Sequence, residues 1–282
     1  VNPGDEVIVP ALTFISPVNT VRYVGAVPVL VDCTADTLCL DHQLLTRFLE
    51  SQCEIRDDGF TYNKRTNRKV SAIIPVHVFG HPAEMDSLNK ICARYKISMI
   101  EDATESLGSI YKGRKTGMFG KTGCLSFNGN KIITTGGGGM VLTDDDDIAR
   151  SVRHLSTQAR TDPFEYDHDA VGYNYRMTNM QAALGLAQME VLEEFIQKKR
   201  TNALLYQKLF STMDDVGFFI ENADVESNCW FYTIRVPKTV KNELTQHLLS
   251  NHIQVRPVWK PINTLKMYSE CEKVGLDNAM TV

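Results

Sequence analysis

Apolar residues in this chain come in short runs, and each run stops at a turn-forming or acidic residue. Val7-Ile8-Val9 stops at Pro10, and Pro28-Val29-Leu30-Val31 stops at Asp32. Val70 to Val78 is almost unbroken, and Ile97-Ser98-Met99-Ile100 runs into Glu101-Asp102. Runs this short, without strict polar alternation, predict strands buried on both faces. Between them the period turns helical: Leu12 to Tyr23, a segment capped by Asp41 and running through Phe48, and Pro82 to Tyr95. Alternation of strand and helix predicts a doubly wound, mainly parallel α/β sheet. Thr122 to Phe127 and Gly139 to Thr143 read as two further strands, and Ile148 to Leu155 as a helix. From Asn179, read as an N-cap, apolar residues at Met180, Ala183, Leu184, Ala187, Val191, Leu192, Phe195 and Ile196 keep helical spacing, which predicts one long helix to near Phe210. Trp230 to Val236 and Ile253 to Arg256 read as strands flanking a helix from Lys238 to Leu249. The pattern thus divides the chain into a large domain (1–178), a connecting helix (179–210) and a small α+β domain (211–282).

Two junctions in this pattern carry chemistry. Lys131 follows Ser126-Phe127-Asn128-Gly129-Asn130 and precedes Ile132-Ile133-Thr134-Thr135 and the glycines Gly136 to Gly139. This places it on a turn between strands, where glycines let the backbone approach something closely. Such a lysine is either a solvated hairpin residue or, if partly desolvated, a nucleophile able to form a Schiff base. Asp102 ends a buried strand, where acidic residues point into the crevice in which open α/β sheets bind ligands; alone, it reads equally as a helix cap. A lysine that forms an imine and an aspartate facing a pyridinium nitrogen are the two protein groups that pyridoxal phosphate (PLP) needs.

Composition narrows the field. The 282 residues suffice for one large domain or a large and a small one. A net charge of -4 with both signs interspersed gives no footprint for nucleic acid or an anionic membrane, so neither is an expected partner. The basic stretch from Tyr62 to Lys69 reads as an exposed loop or hairpin. No apolar run approaches a bilayer span, no signal peptide opens the chain, and the expected location is cytoplasmic. Seven cysteines without a C-x-x-C pair read as reduced thiols, with neither zinc nor disulfides expected. Asp144 to Asp147 read as first-turn acids of the next helix, so no metal is expected. The glycine tract lacks the strand-to-helix context of a dinucleotide fingerprint.

Five blocks in order resemble the PLP-dependent sugar aminotransferases of the DegT/DnrJ/EryC1/StrS family. They are Pro3 to Pro10, Pro75 to Gly80, Glu101 to Ala103, Ser126 to Gly139 and Gly172 to Met177. Asn128 to Lys131 and Arg256 to Pro261 look most like its LegC-type branch. The resemblance implies PLP fold type I, an aspartate-aminotransferase-like three-layer domain with a mainly parallel sheet plus a smaller α+β domain. It implies an enzyme that moves an amino group, with glutamate as expected donor, to the 4-keto group of a nucleotide-linked 4-keto-6-deoxy sugar, on routes to surface glycans or nonulosonic acids. Lys131 would carry PLP, Asp102 would pair with the ring nitrogen, and Ser126 would hold the phosphate. Glu105, where Gln or His is common in relatives, would lie beside the ring. Phe14 would stack on the ring or else belong to the core. Asn174 would reach a neighbour's phosphate across a homodimer with shared active sites, or else be a loop residue. His77, Arg256 and Lys260 are weaker candidates for the substrate side, and a lone His in an apolar run is also a common core residue. A dehydratase of the same fold has histidine in place of the lysine, which Lys131 opposes. An inactive homologue is opposed by Lys131, Asp102 and Ser126 together. The resemblance also implies a fragment: Val1-Asn2-Pro3-Gly4 lacks Met, family members carry an earlier segment with a phosphate-binding turn, and the small domain stops short.

Overall fold

The computed structural model describes residues 1–162, 164–219 and 221–282. The chain opens with strand β1 (Glu6–Pro10), helix α1 (Ser16–Tyr23), strand β2 (Val27–Val31) and helix α2 (His42–Gln52). A hairpin of β3 (Cys53–Ile55) and β4 (Thr61–Asn63) leads to β5 (Val70–Ile73), α3 (Met85–Tyr95) and β6 (Ser98–Asp102). Short strands β7 (Ile110–Tyr111) and β8 (Arg114–Lys115) precede β9 (Thr122–Ser126), β10 (Gly139–Leu142) and α4 (Asp146–Leu155). Then come α5 (Asn179–Met189), α6 (Leu192–Phe210), β11 (Gly217–Phe218), β12 (Val225–Glu226), β13 (Ile234–Arg235), α7 (Lys241–Ser250), β14 (Glu272–Val274) and α8 (Asp277–Thr281).

The central sheet has seven strands in the order β10-β9-β6-β5-β1-β2-β14. All neighbours run parallel except β10, which is antiparallel to β9. This is the α/β, mainly parallel architecture expected from the sequence. β1 is buried along its whole length, as a strand covered by helices on both faces must be. Its core partners include Leu30 from β2, Leu45 and Phe48 from α2, and Leu88 from α3. A second, smaller cluster joins Ala103, Leu125, Phe127 and Ile133 to Leu192 and Ile196 of α6.

Local chemistry sets the helix ends. The Asp41 carboxylate accepts from the N–H groups of Gln43 and Leu44, capping α2 as expected. Asp145 does the same for Asp147 and Ile148, so the acidic run serves α4. The cap of α5 is Thr178 rather than Asn179, in a capping box with Gln181. The long helix expected over 179–210 is two helices, broken at Glu190 and Val191. Leu192 and Ile196 turn into the second cluster, whereas α5 has no buried residue and is tied down by Gln188, which exchanges hydrogen bonds with the Thr134 backbone.

Three expectations for the C-terminal stretch need correction. Residues 230–233 form no strand, and only Ile234–Arg235 pairs, with β11. Residues 253–256 form none either. β14 lies not in a separate unit but at the edge of the large sheet, parallel to β2. There the Asp32 carboxylate accepts from the N–H groups of Asn278 and Ala279 at the start of α8. The seven cysteines are free thiols. Among the described residues no helix is long and apolar enough to cross a membrane.

Candidate active site

The candidate residues gather where the parallel strands end. β6 delivers Glu101 and Asp102, and the following turn places Glu105 three residues on. Glu101 is fully buried and serves as a structural anchor. Its carboxylate accepts from the N–H groups of Gly117 (2.8 Å), Gly120 (2.7 Å) and Phe119, and from His77 Nε2 (3.1 Å). Burial pushes this carboxyl up, but His77 and the backbone donors more than offset it and hold it below the usual range. His77 Nδ1 accepts from the Ala83 N–H at 3.1 Å, which leaves Nε2 as the donor to Glu101. With 0% exposure and both ring nitrogens occupied, His77 is a core residue and not a substrate ligand.

Lys131 lies beyond the end of β9, in a turn closed by its own N–H on the Asn128 carbonyl (3.0 Å). Phe127 pins the base of this loop, donating to Gly138 and accepting from Thr135, both at 3.0 Å. Of the two sequence readings of Lys131, the solvated one fails: its side chain is only 13% exposed. Nζ lies 3.5 Å from Glu105 Oε1 and 4.0 Å from the centre of the Trp230 ring. Burial lowers the amine's pKa, with Glu105 and Asp102 acting in the opposite direction. Burial raises the Glu105 carboxyl to about 7, against the pull of Lys131. The other Glu105 oxygen, Oε2, accepts from the Phe79 N–H at 2.8 Å. Phe79 sits at φ 56° and ψ 20°, a left-handed conformation costly for a bulky residue and typical of over-determined functional sites.

Sequence reasoning missed the residues that hold this arrangement. Asn228, fully buried, donates to the Glu105 carbonyl (2.9 Å) and the Leu107 carbonyl (3.0 Å) and accepts from the Trp230 N–H (2.9 Å). Trp230 Nε1 then donates to the Asn130 carbonyl at 2.7 Å, which lays the indole against Lys131. Ser227 and Ser109 both donate to the Gly80 carbonyl. Gly80 has φ +91°, and a Cβ there would stand 2.0 Å from Asn228 Oδ1, so this contact requires glycine. The signal available in sequence was slight: a Ser-Asn-Cys-Trp stretch with no motif of its own.

The remaining candidates spread outward. Asp102 Oδ1 accepts from the Thr104 N–H (3.1 Å), and Ser126 Oγ accepts from the Asn128 N–H (3.3 Å). Phe14 is 53% exposed, which excludes the core reading; its ring meets Trp259 edge-on at 6.4 Å between centres. Trp259 in turn lies 4.9 Å from Phe79, so an aromatic row leads from Phe14 to the Lys131 wall. Arg256 and Lys260 are exposed on the same irregular segment as Trp259. Asn174 is exposed and bridges backbone to Thr157, away from the contacts of Lys131. The donor set fits PLP: a buried amine of lowered basicity for its aldehyde, with acidic Asp102 and hydroxyl-bearing Ser126 on the adjoining strand ends. Nothing lies within 4 Å of where a side chain would start at Gly129, Gly136 or Gly137, so the loop that carries Lys131 is open at these glycines.

The model of the DegT/DnrJ/EryC1/StrS aminotransferase family matches residues 1–282. The chain belongs to this family. Members of the DegT/DnrJ/EryC1/StrS family are PLP-dependent aminotransferases, so the cofactor implied by Lys131 and Asp102 is the family's own. The sheet is that of fold type I. GDP-perosamine synthase of Escherichia coli O157:H7 is 39% identical over 272 residues, 96% of this chain and 69% of the relative. EpsN of Bacillus subtilis (strain 168), by name a pyridoxal phosphate-dependent aminotransferase, is 38% identical over 269 residues, 95% of this chain and 66% of the relative. A crystal structure of a family aminotransferase from Brucella abortus superposes with a TM-score of 0.89 at 26% identity, covering 100% of this chain and 72% of that one. The chain therefore spans about two thirds of the length of the curated relatives it matches.

Proposed function

We propose that the chain carries the active site of a sugar-nucleotide aminotransferase. The transferred amine comes from an amino acid, glutamate, and goes to the 4-keto group of a nucleotide-linked 4-keto-6-deoxy sugar, as in the LegC-type branch. The observation that carries this reading is the Lys131 amine, largely buried at the carboxyl end of the sheet and close to both the Glu105 carboxylate and the Trp230 indole. PLP, when bound, supplies an aldehyde for that amine and a ring that draws electrons from the reacting carbon. Lys131 would hold it and, once released, move the proton at the reacting carbon as general acid and base. Asp102 would keep the ring nitrogen protonated, and Ser126 would bind the phosphate. Trp230 excludes water from one side of the amine. Phe14, Trp259, Arg256 and Lys260 would face the nucleotide side.

Exposed apolar side chains on β10 and α5 (Met140, Val141, Met180 and Leu184) support a second copy of the chain as partner, with Asn174 reaching the neighbour's site. A cytoplasmic enzyme making activated sugars for surface glycans suits the substrate class. The test is amine transfer: incubation with PLP, glutamate and UDP-, GDP- or dTDP-linked 4-keto-6-deoxy sugars, with products read by mass. A 4-amino sugar formed with loss of the glutamate amine is the expected result. Loss of water without gain of nitrogen would favour a dehydratase and overturn the reading.

A further inference from the structure

The Lys131 amine does not sit alone in its pocket, and its neighbour is held from two sides. Glu105 Oε1 lies 3.5 Å from Nζ, while Oε2 is fixed by the Phe79 N–H at 2.8 Å. The Glu105 carbonyl is fixed by Asn228 at 2.9 Å, so neither end of the residue can swing away. Phe79 holds its left-handed backbone to make that contact. The centre of the Trp230 ring lies 4.0 Å from the same amine. Glu105 is 5% exposed, so its carboxylate has a buried cation as its counter-charge rather than water. A lysine that serves as general acid and base must change its protonation state. In this pocket the nearest group able to receive or return that proton is Glu105.

We propose that Glu105 is the proton partner of Lys131, a positioning residue that holds the amine and exchanges one proton with it. The step balances within the pair: ammonium and carboxylate become amine and carboxylic acid, and the reverse, with no bond broken but N–H and O–H. Burial favours this exchange by moving the two groups toward each other, the carboxyl up to about 7 and the amine down. The charged and titratable groups that bear on the pair are Asp102 at the end of β6, which acts on both, and the Cys39 thiol, which couples to Glu105. The Phe79 N–H and the Trp230 ring complete the surroundings. The proposal rests on the reading of Lys131 as the reactive amine, but its test needs neither cofactor nor substrate.

The experiment is trace acetylation of the cofactor-free protein with acetic anhydride from pH 5 to 10, with labelling of Lys131 and of exposed Lys241 read by peptide mass spectrometry. In Glu105→Gln the amine loses its counter-charge while burial remains. Its midpoint then falls by roughly one to three pH units, and labelling at pH 7 rises about tenfold or more, with Lys241 unchanged. An identical Lys131 profile in the two proteins overturns the proposal. Glu105→Asp, which keeps a carboxylate, is expected to return the profile part of the way. Should Glu105→Gln fail to fold, Lys131→Met reads the same coupling from the other partner. The carbon-13 signal of the Glu105 carboxyl then titrates at higher pH than in the parent, and an unmoved midpoint overturns the proposal. Failure here with successful amine transfer would leave the aminotransferase reading standing, and the converse result would separate the two just as cleanly.

Discussion

Asn228→Ala should be among the most damaging single substitutions in the chain, although Asn228 makes no hydrogen bond to Lys131. The side chain makes three buried hydrogen bonds, to the Glu105 and Leu107 carbonyls and from the Trp230 N–H. Each contributes about 0.5–1.5 kcal/mol net, and truncation leaves its partners buried without replacements, so a loss of about 3 kcal/mol is expected. With a urea dependence of about 3 kcal/mol per molar for a chain of this size, the unfolding midpoint falls by about 1 M. Circular dichroism and tryptophan fluorescence both report it, since Trp230 is one of only two tryptophans. Fluorescence should change in the native baseline too, because the same bonds lay Trp230 against Lys131. A midpoint shift below about 0.3 M with an unchanged native spectrum would refute the idea that Asn228 organises this wall.

Other substitutions test separate parts of the argument. Glu101→Gln places an amide N–H₂ among backbone donors and should cost about 2–4 kcal/mol in the same urea assay. Because the Glu101 carboxyl is held below its ordinary value of 4.5, its contribution to stability is present above that pH and is lost as pH falls through the depressed folded value. Urea midpoints measured from pH 7 to pH 3 should therefore decline less steeply in Glu101→Gln than in the parent. Asp41→Ala removes the cap of α2 and should cost about 1 kcal/mol. Lys96 caps α3 at φ 51° with an exposed side chain, so Lys96→Gly should stabilise by about 0.5–1 kcal/mol, visible as a raised melting temperature.

Most of the sheet could be read from the sequence because strands such as β1, β2 and β6 are local apolar runs with their own stop signals. Val7 to Val9 and Ile97 to Ile100 needed no distant information, and Asp41 announced α2. Lys131 and Asp102 stood out as candidates for a related reason, since strand ends and glycine turns mark where an α/β sheet places chemistry, whereas Glu105 entered only through the family resemblance. What was hidden depends on contacts across the chain. Trp230 lies 99 residues from Lys131 in sequence, and its aromatic, β-branched surroundings read as a strand. The structure instead spends the polar groups of 227–230 on the turns around Gly80 and Glu105. His77 became a candidate only through the family resemblance; a lone His in an apolar run reads as a core residue, and its partner Glu101 satisfies it inside the core. The break at Val191 was invisible because apolar spacing continues through it; the two helices part to meet different neighbours. β14 escaped notice because Glu272-Lys273-Val274 has no apolar pattern, and only pairing with β2 makes it a strand.

The central claim is that Lys131 is the residue that takes PLP. It is tested most directly by mixing the purified protein with PLP, recording the visible spectrum, reducing with borohydride and mapping the modified peptide, with Lys131→Ala alongside. The account predicts a yellow band that borohydride abolishes, a mass increase of reduced PLP on Lys131, and neither signal in the variant. A stable adduct on another lysine, or an equal band in Lys131→Ala, would contradict it.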